Sequence, residues 1–220
     1  MFGQKKLAML VAEFLGTAML ALAFYTIVAR TSFPLFTGIG AAVAIGLAVL
    51  TLGSVSGAHI NPAVTISMWT MRKIQTTTAV AYVAAQMLGG LAAWGLIAFL
   101  LDRSLTSMAP GEFDWRIFTA EAVGTGVFAF GAVAAVVRKL PAAQCAAVTG
   151  LSFLLGILVA SLASNAILNP AVSVGIQSWS WTYATAPLVG AVVGSNVYVM
   201  LFTEQANSVR PAKATAKKKK

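Results

Sequence analysis

Apolar stretches recur along the chain, separated by short polar connections, and each has the length of a bilayer-crossing helix. The runs are Leu7–Ala29, Leu35–Ser56, Ala79–Leu101, Ile117–Val137, Ala142–Ala163 and Thr182–Thr203. A hydrocarbon layer of about 30 Å requires about 20 residues of helix, and every run supplies that length. The pattern therefore predicts an all-α membrane protein with six spanning helices. The first run is too long for a signal-peptide core and lacks a convincing cleavage site, so it reads as a mature helix.

Two interruptions break this pattern in the same way. "SGAHINPAVT" occupies Ser56–Thr65 and "ILNPAVS" occupies Ile167–Ser173. Asn61 reads as a helix N-cap, with Pro62 at the first helical position, where a missing N–H costs nothing. The segment after the second run is too short to cross the membrane and return as full helices. It predicts a half-helix over Asn61–Thr70 that starts at membrane depth and runs back toward Arg72 and Lys73. Those cations then sit at its C-terminal end, where the helix dipole favours them. The second interruption predicts a matching half-helix over Asn169–Ser178.

The two halves are related. "AEFLGT" at Ala12–Thr17 returns as "AEAVGT" at Ala120–Thr125, and Asn61-Pro62-Ala63-Val64 returns as Asn169-Pro170-Ala171-Val172. The offset is 108 residues for Glu13 and Glu121 and again for Asn61 and Asn169. A fixed period at two separate landmarks marks an internal duplication. Each half holds three spans, an odd number, so the second copy enters the membrane from the opposite side, about a pseudo-two-fold axis in the membrane plane. The expected organisation is one domain over residues 1–220, with repeats at about 7–101 and 117–203 and a basic tail over 204–220. The half-helix N-termini then meet at the midplane. Non-helical backbone persists at that depth only where protein buries it or it lines a water-filled path, which points to a pore.

Composition agrees with a lipid environment: 59% of residues are hydrophobic, 10% are charged, and mean hydropathy is +0.84. Soluble domains carry about 25% charged residues. The net charge of +9 does not indicate nucleic acid, because it is distributed by side of the membrane. With six alternating spans, Lys5, Lys6, Arg72, Lys73, Arg138, Lys139, Arg210, Lys213 and Lys217–Lys220 share one side, and only Arg30, Arg103 and Arg116 fall on the other. The positive-inside rule then places both termini in the cytoplasm of a cell (plasma or inner) membrane, and the connection Asp102–Arg116 outside. The tail "AKATAKKKK" is either a solvated charged end or a contact for anionic headgroups. Cys145 is the single cysteine, which excludes a disulfide framework. No nucleophile–base pair or metal cluster is visible, so an enzyme is not expected, and no cofactor is called for.

These motifs resemble the aquaporin/major intrinsic protein family, over roughly Leu7–Thr203. The likeness rests on "SGAHINPAVT", the second Asn-Pro-Ala and the "AExxGT" opening of each half. It implies an inverted repeat of six transmembrane helices plus two re-entrant half-helices, assembled as a homotetramer with one pore per subunit. It assigns the pore centre to Asn61, Pro62, Ala63, Asn169, Pro170 and Ala171, with both asparagines donating to passing molecules. Two converging helix N-termini make that centre electropositive and oppose cations, including hydronium. Glu13 and Glu121, the acids deep inside spans, have two competing roles. They could couple protons in a transporter, or they could accept hydrogen bonds from the re-entrant loops. The family likeness favours the scaffold role, and similarly favours His59 as a loop-fixing residue over a protonation gate.

The chain departs from the family pattern where selectivity is expected. The Arg after the second Asn-Pro-Ala is here Val172. The family's other constriction positions, carried over by spacing, are Ala41, Ile157 and Ala166. The resulting mouth is apolar and uncharged. "SNAILNPA" also lacks the usual Gly of that loop, and Ile176 stands where Pro is expected after Gly175, so a differently built outer loop is expected. The leading reading is a passive channel for water and small uncharged solutes such as glycerol, urea or undissociated metalloid acids. The alternatives are a secondary transporter that uses Glu13 and Glu121, and a non-conducting structural membrane protein.

Overall fold

The computed structural model describes residues 3–31 and 33–208, with side-chain environments as far as Thr203. All regular structure among the described residues is helical. The elements are α1 (Gln4–Val28), α2 (Pro34–Ser56), α3 (Pro62–Thr70), α4 (Thr76–Leu101), α5 (Trp115–Val137), α6 (Ala142–Ala160), α7 (Pro170–Gly175) and α8 (Trp181–Ser208). Six of them, all but α3 and α7, are long and apolar enough to cross a membrane. The hydrophobic pattern therefore located every long helix.

Helix ends differ from the apolar runs because hydropathy marks lipid contact, whereas the backbone ladder continues until something interrupts it. Thus α4 begins at Thr76, three residues before its apolar run. In α6 the helix stops at Ala160, and residues 161–163 form a turn. In α8 the helix continues to Ser208, so the first residues of the expected tail, 204–208, are helical. The lysine-rich remainder lies outside the described residues.

The half-helices are unequal. α3 has nine residues, but α7 has six and ends at Gly175, short of the expected Ser178. Both end in the same way, with one left-handed residue that turns the chain and satisfies the last carbonyls. At α3 this is Arg72 (φ 57°), where Arg72 N–H donates to Trp69 O at 2.9 Å and Lys73 N–H to Met68 O at 2.9 Å. At α7 it is Gln177 (φ 57°), where Gln177 N–H donates to Val174 O at 3.2 Å and Ser178 N–H to Ser173 O at 2.8 Å. Counted from the capping asparagines, the second turn comes three residues sooner, while α3 ends at Thr70 with Arg72 and Lys73 just beyond it, as the sequence implied.

Packing exchanges the half-helices between the halves. α1 lies against α2 and α4, α5 lies against α6 and α8, and α2 packs on α6 to join the two sets. α3 packs chiefly on α8, and α7 chiefly on α4. A Cβ at Gly90 of α4 would collide with the Ala171 carbonyl of α7, and one at Gly190 of α8 with the Ala122 carbonyl of α5. Lipid tails are as apolar as the helices, so association depends on close packing, which small residues at crossings allow. The contiguous interior includes Leu20, Phe24, Ile45, Ile60, Phe128, Phe153 and Leu168. Large side chains such as Val43, Val80, Phe99 and Leu162 point outward, where lipid would cover them.

Candidate functional site

The two asparagine-proline interruptions meet. Asn61 has extended backbone (φ −157°, ψ 120°), and its side-chain oxygen accepts from Ala63 N–H at 2.8 Å. Asn169 (φ −152°) accepts from Ala171 N–H at 3.0 Å and Val172 N–H at 3.3 Å. Each amide nitrogen then reaches into the opposite half. Asn61 Nδ2 donates to Leu168 O at 2.8 Å, and Asn169 Nδ2 donates to Ile60 O at 2.9 Å. Pro62, Ala63, Pro170 and Ala171 begin the two helices and are buried with them. Each asparagine thus caps its own helix and ties down the other loop, with a second amide hydrogen left over.

The carbonyls that receive these bonds are aimed by unusual backbone. Ala58 and Ile60 have φ of 49° and 41°, and their counterparts Ala166 and Leu168 have 53° and 56°. L-residues adopt this region at a cost of about 1–2 kcal/mol each, so something must hold it. A buried carboxylate does so in each half. Glu13 accepts from His59 N–H at 3.0 Å, Ile60 N–H at 2.6 Å and Ser56 Oγ at 2.6 Å. Glu121 accepts from Ile167 N–H at 2.9 Å, Leu168 N–H at 2.7 Å and Ser164 Oγ at 2.8 Å. The second loop is built differently at its entrance, where Gly57 is left-handed (φ 91°) and Asn165, its counterpart, is not, and beyond it, where α7 turns early at Gln177.

The symmetry fails at one polar cluster. Gln86 Nε2 donates to Glu13 at 2.7 Å and to Thr65 Oγ1 at 2.8 Å. Thr65 Oγ1 also lies 3.2 Å from His59 Nδ1, and the His59 ring meets Tyr82 edge-on at 5.4 Å between centroids. The sole histidine is therefore wedged between the loop's own half-helix and α4.

Cavities open on both sides of the apposed loops. One of about 270 Å³ is lined by His59, Lys73, Cys145 and Thr149 together with the apolar Ile45 and Phe128. The other, of about 330 Å³, is lined by Thr37, Met108, Ile157, Ser161, Asn165 and Ala166, among others. Neither is lined by Asn61, Asn169, Ala41 or Val172. The four constriction candidates Ala41, Ile157, Ala166 and Val172 all fall in the same buried cluster, and two of them, Ile157 and Ala166, reach the second cavity.

The sequence profile of the Major intrinsic protein family matches residues 3–198. The chain belongs to the major intrinsic protein family. It is 30% identical to Aquaporin Z of Photorhabdus laumondii, over 89% of this chain and 98% of that one. It is 31% identical to Glycerol uptake facilitator protein-like 6 of Lactiplantibacillus plantarum, over 84% of this chain and 93% of the relative. Among solved structures, the aquaglyceroporin of Plasmodium falciparum has the same fold, with a TM-score of 0.75 and 22% identity over 92% of this chain and 99% of that one.

In this major intrinsic protein several site residues escaped the sequence reading. Ser56 and Ser164 stand at the 108-residue offset and could have been found from it. Tyr82 and Tyr183 were hidden because their offset is 101 residues: α7 is three residues shorter than α3, and Tyr183 lies four residues nearer the start of its helix than Tyr82 does. Both hold a loop entrance: Tyr82 OH donates to Ser56 O at 2.8 Å, and Tyr183 OH accepts from Asn165 N–H at 3.0 Å. Gln86 pairs with Pro187 at that same offset, so the duplication concealed its role.

Proposed function

We propose that this integral membrane protein is a passive channel for water and small uncharged solutes, with a path that runs between the two cavities past Asn61 and Asn169. The observation that carries this reading is the crossed pair of bonds from Asn61 to Leu168 O and from Asn169 to Ile60 O, which brings two half-helix N-termini together. Such termini carry about half a positive charge each and oppose cations at the centre. The remaining asparagine N–H groups are the donors offered to a passing molecule. A central water held through its oxygen cannot pass a proton along the file.

Glu13 and Glu121 act as scaffold in this reading, and His59 with them. Glu13 receives four donors, which match the four lone-pair sites of a carboxylate, and Glu121 receives three. Little capacity remains for a travelling proton, which favours a channel over a coupled transporter. Ala41, Ile157, Ala166 and Val172 form the narrow outer segment, where width and not hydrogen bonding selects among water, glycerol, urea and undissociated metalloid acids. The protein sits in the cell membrane with both termini cytoplasmic, as one duplicated domain per subunit of a homotetramer. It is a channel and not an enzyme.

Stopped-flow light scattering of proteoliposomes tests the proposal. Flux of water, glycerol and urea should be linear in the gradient and indifferent to ion or proton gradients. Uptake that requires a proton gradient would replace the proposal with a transporter. Absence of all flux from folded protein would leave a structural membrane protein.

A further inference from the structure

On the channel reading above, we infer that Met108 is a specificity-determining residue at the outer mouth and that Asn165 is the side chain that positions it. Met108 belongs to the connection between α4 and α5, yet its backbone is gripped from both sides. Its N–H donates to Gln177 O at 2.8 Å, and its carbonyl accepts from Asn165 Nδ2 at 2.9 Å. Asn165 is itself fixed, with its N–H on Tyr183 OH at 3.0 Å and Nδ2 within 3.3 Å of Ser178 Oγ. The connection, the second re-entrant loop and the turn after α7 thus converge on one amide.

One departure noted in the sequence and one found in the fold create this arrangement. Asn165 occupies the position where the loop was expected to carry Gly, so a side chain is present to make the bond. α7 is short, and the left-handed turn at Gln177 delivers a carbonyl to the connection. Among the described residues, these two bonds are the inter-element hydrogen bonds of residues 104–113. Met108 and Asn165 both line the 330 Å³ cavity beside Ile157 and Ala166, and the Met108 side chain packs against the buried cluster.

The chemical consequence follows from Val172. Where no guanidinium reaches into the mouth, no fixed charge sorts solutes, and entry is decided by shape. A methionine side chain is unbranched and adaptable, so its backbone anchor determines how far it can yield. Held by Asn165 and Gln177, Met108 limits the width offered to neutral solutes of glycerol size and above. Without the anchor, the rim widens for large solutes more than for water.

The test is the ratio of glycerol to water permeability in proteoliposomes that carry native protein, Asn165→Ala, Met108→Ala or Met108→Phe. The first two should raise the ratio by roughly threefold or more, a barrier difference of about 0.65 kcal/mol, and Met108→Phe should lower it. A merely structural role would reduce both fluxes together as folded protein is lost and leave the ratio where it was. An unchanged ratio in Asn165→Ala and Met108→Ala, with native protein conducting, overturns the inference and spares the channel. Native protein that passes neither solute overturns the channel reading and this inference with it.

Discussion

Gln86 of α4 donates to Glu13 at 2.7 Å, and among the described residues no α8 side chain does the same for Glu121, whose side-chain donor is Ser164. The equivalent place in α8 is Pro187, which has no side-chain donor and lacks even its backbone N–H. Glu13 therefore secures its loop with four donors, and Glu121 secures the other with three.

Replacing either carboxylate with Gln swaps one acceptor oxygen for an NH2 group that faces donors. Each loss of a satisfied buried bond costs about 1–3 kcal/mol, so both variants should unfold at lower temperature in detergent. The drop should be larger for Glu13→Gln, because Gln86 is stranded along with the loop. Circular dichroism melts of the two variants compare them directly. Equal melting points would mean that the Gln86 contact contributes nothing.

Orientation is testable at Ser107. In a Cys145→Ser background, Ser107→Cys should react with a membrane-impermeant thiol reagent added to intact cells. Labelling only after lysis would invert the assignment and place both termini outside.

Val172→Arg should depress glycerol and urea flux more than water flux, measured by vesicle reswelling at matched protein amounts. The guanidinium would bring five donors and a fixed charge into a cluster that is now apolar. Val172 is fully buried. Size-exclusion chromatography must therefore show that the variant still assembles. Equal passage of large solutes by an assembled variant would remove Val172 from the constriction.

Gly90→Val should prevent assembly, because its Cβ would strike the Ala171 carbonyl, a backbone atom that cannot swing aside. Overpacking costs about 1–3 kcal/mol when side chains can adjust, and more is expected here. Gly95, on the same helix with nothing near its Cβ position, is the control: Gly95→Val should express and assemble as the native chain does. Equal yields of the two variants would mean that α4 and α7 do not approach this closely.

The amino-acid sequence by itself determined the membrane setting, the number of long helices, the duplication and the two capped half-helices. These features are local: an apolar run of bilayer length, an Asn-Pro cap and a repeated landmark each carry their meaning without reference to the rest of the chain. It also singled out Glu13 and Glu121, since an acid within an apolar run announces itself. Only the tertiary structure decided where their bonds go, because Glu13, the stretch holding Ser56 and the left-handed Ile60, and Gln86 come from separate segments. It alone exchanged the half-helices, packing α3 on α8 and α7 on α4, and it alone brought Met108 to Asn165 across 57 residues of chain. Those relations depend on which backbones can approach, as α7 approaches α4 at Gly90, and on where a short helix turns, as α7 does at Gln177. No periodicity in the chain encodes a contact between its two halves, whereas buried polar groups in lipid must find partners wherever the fold supplies them.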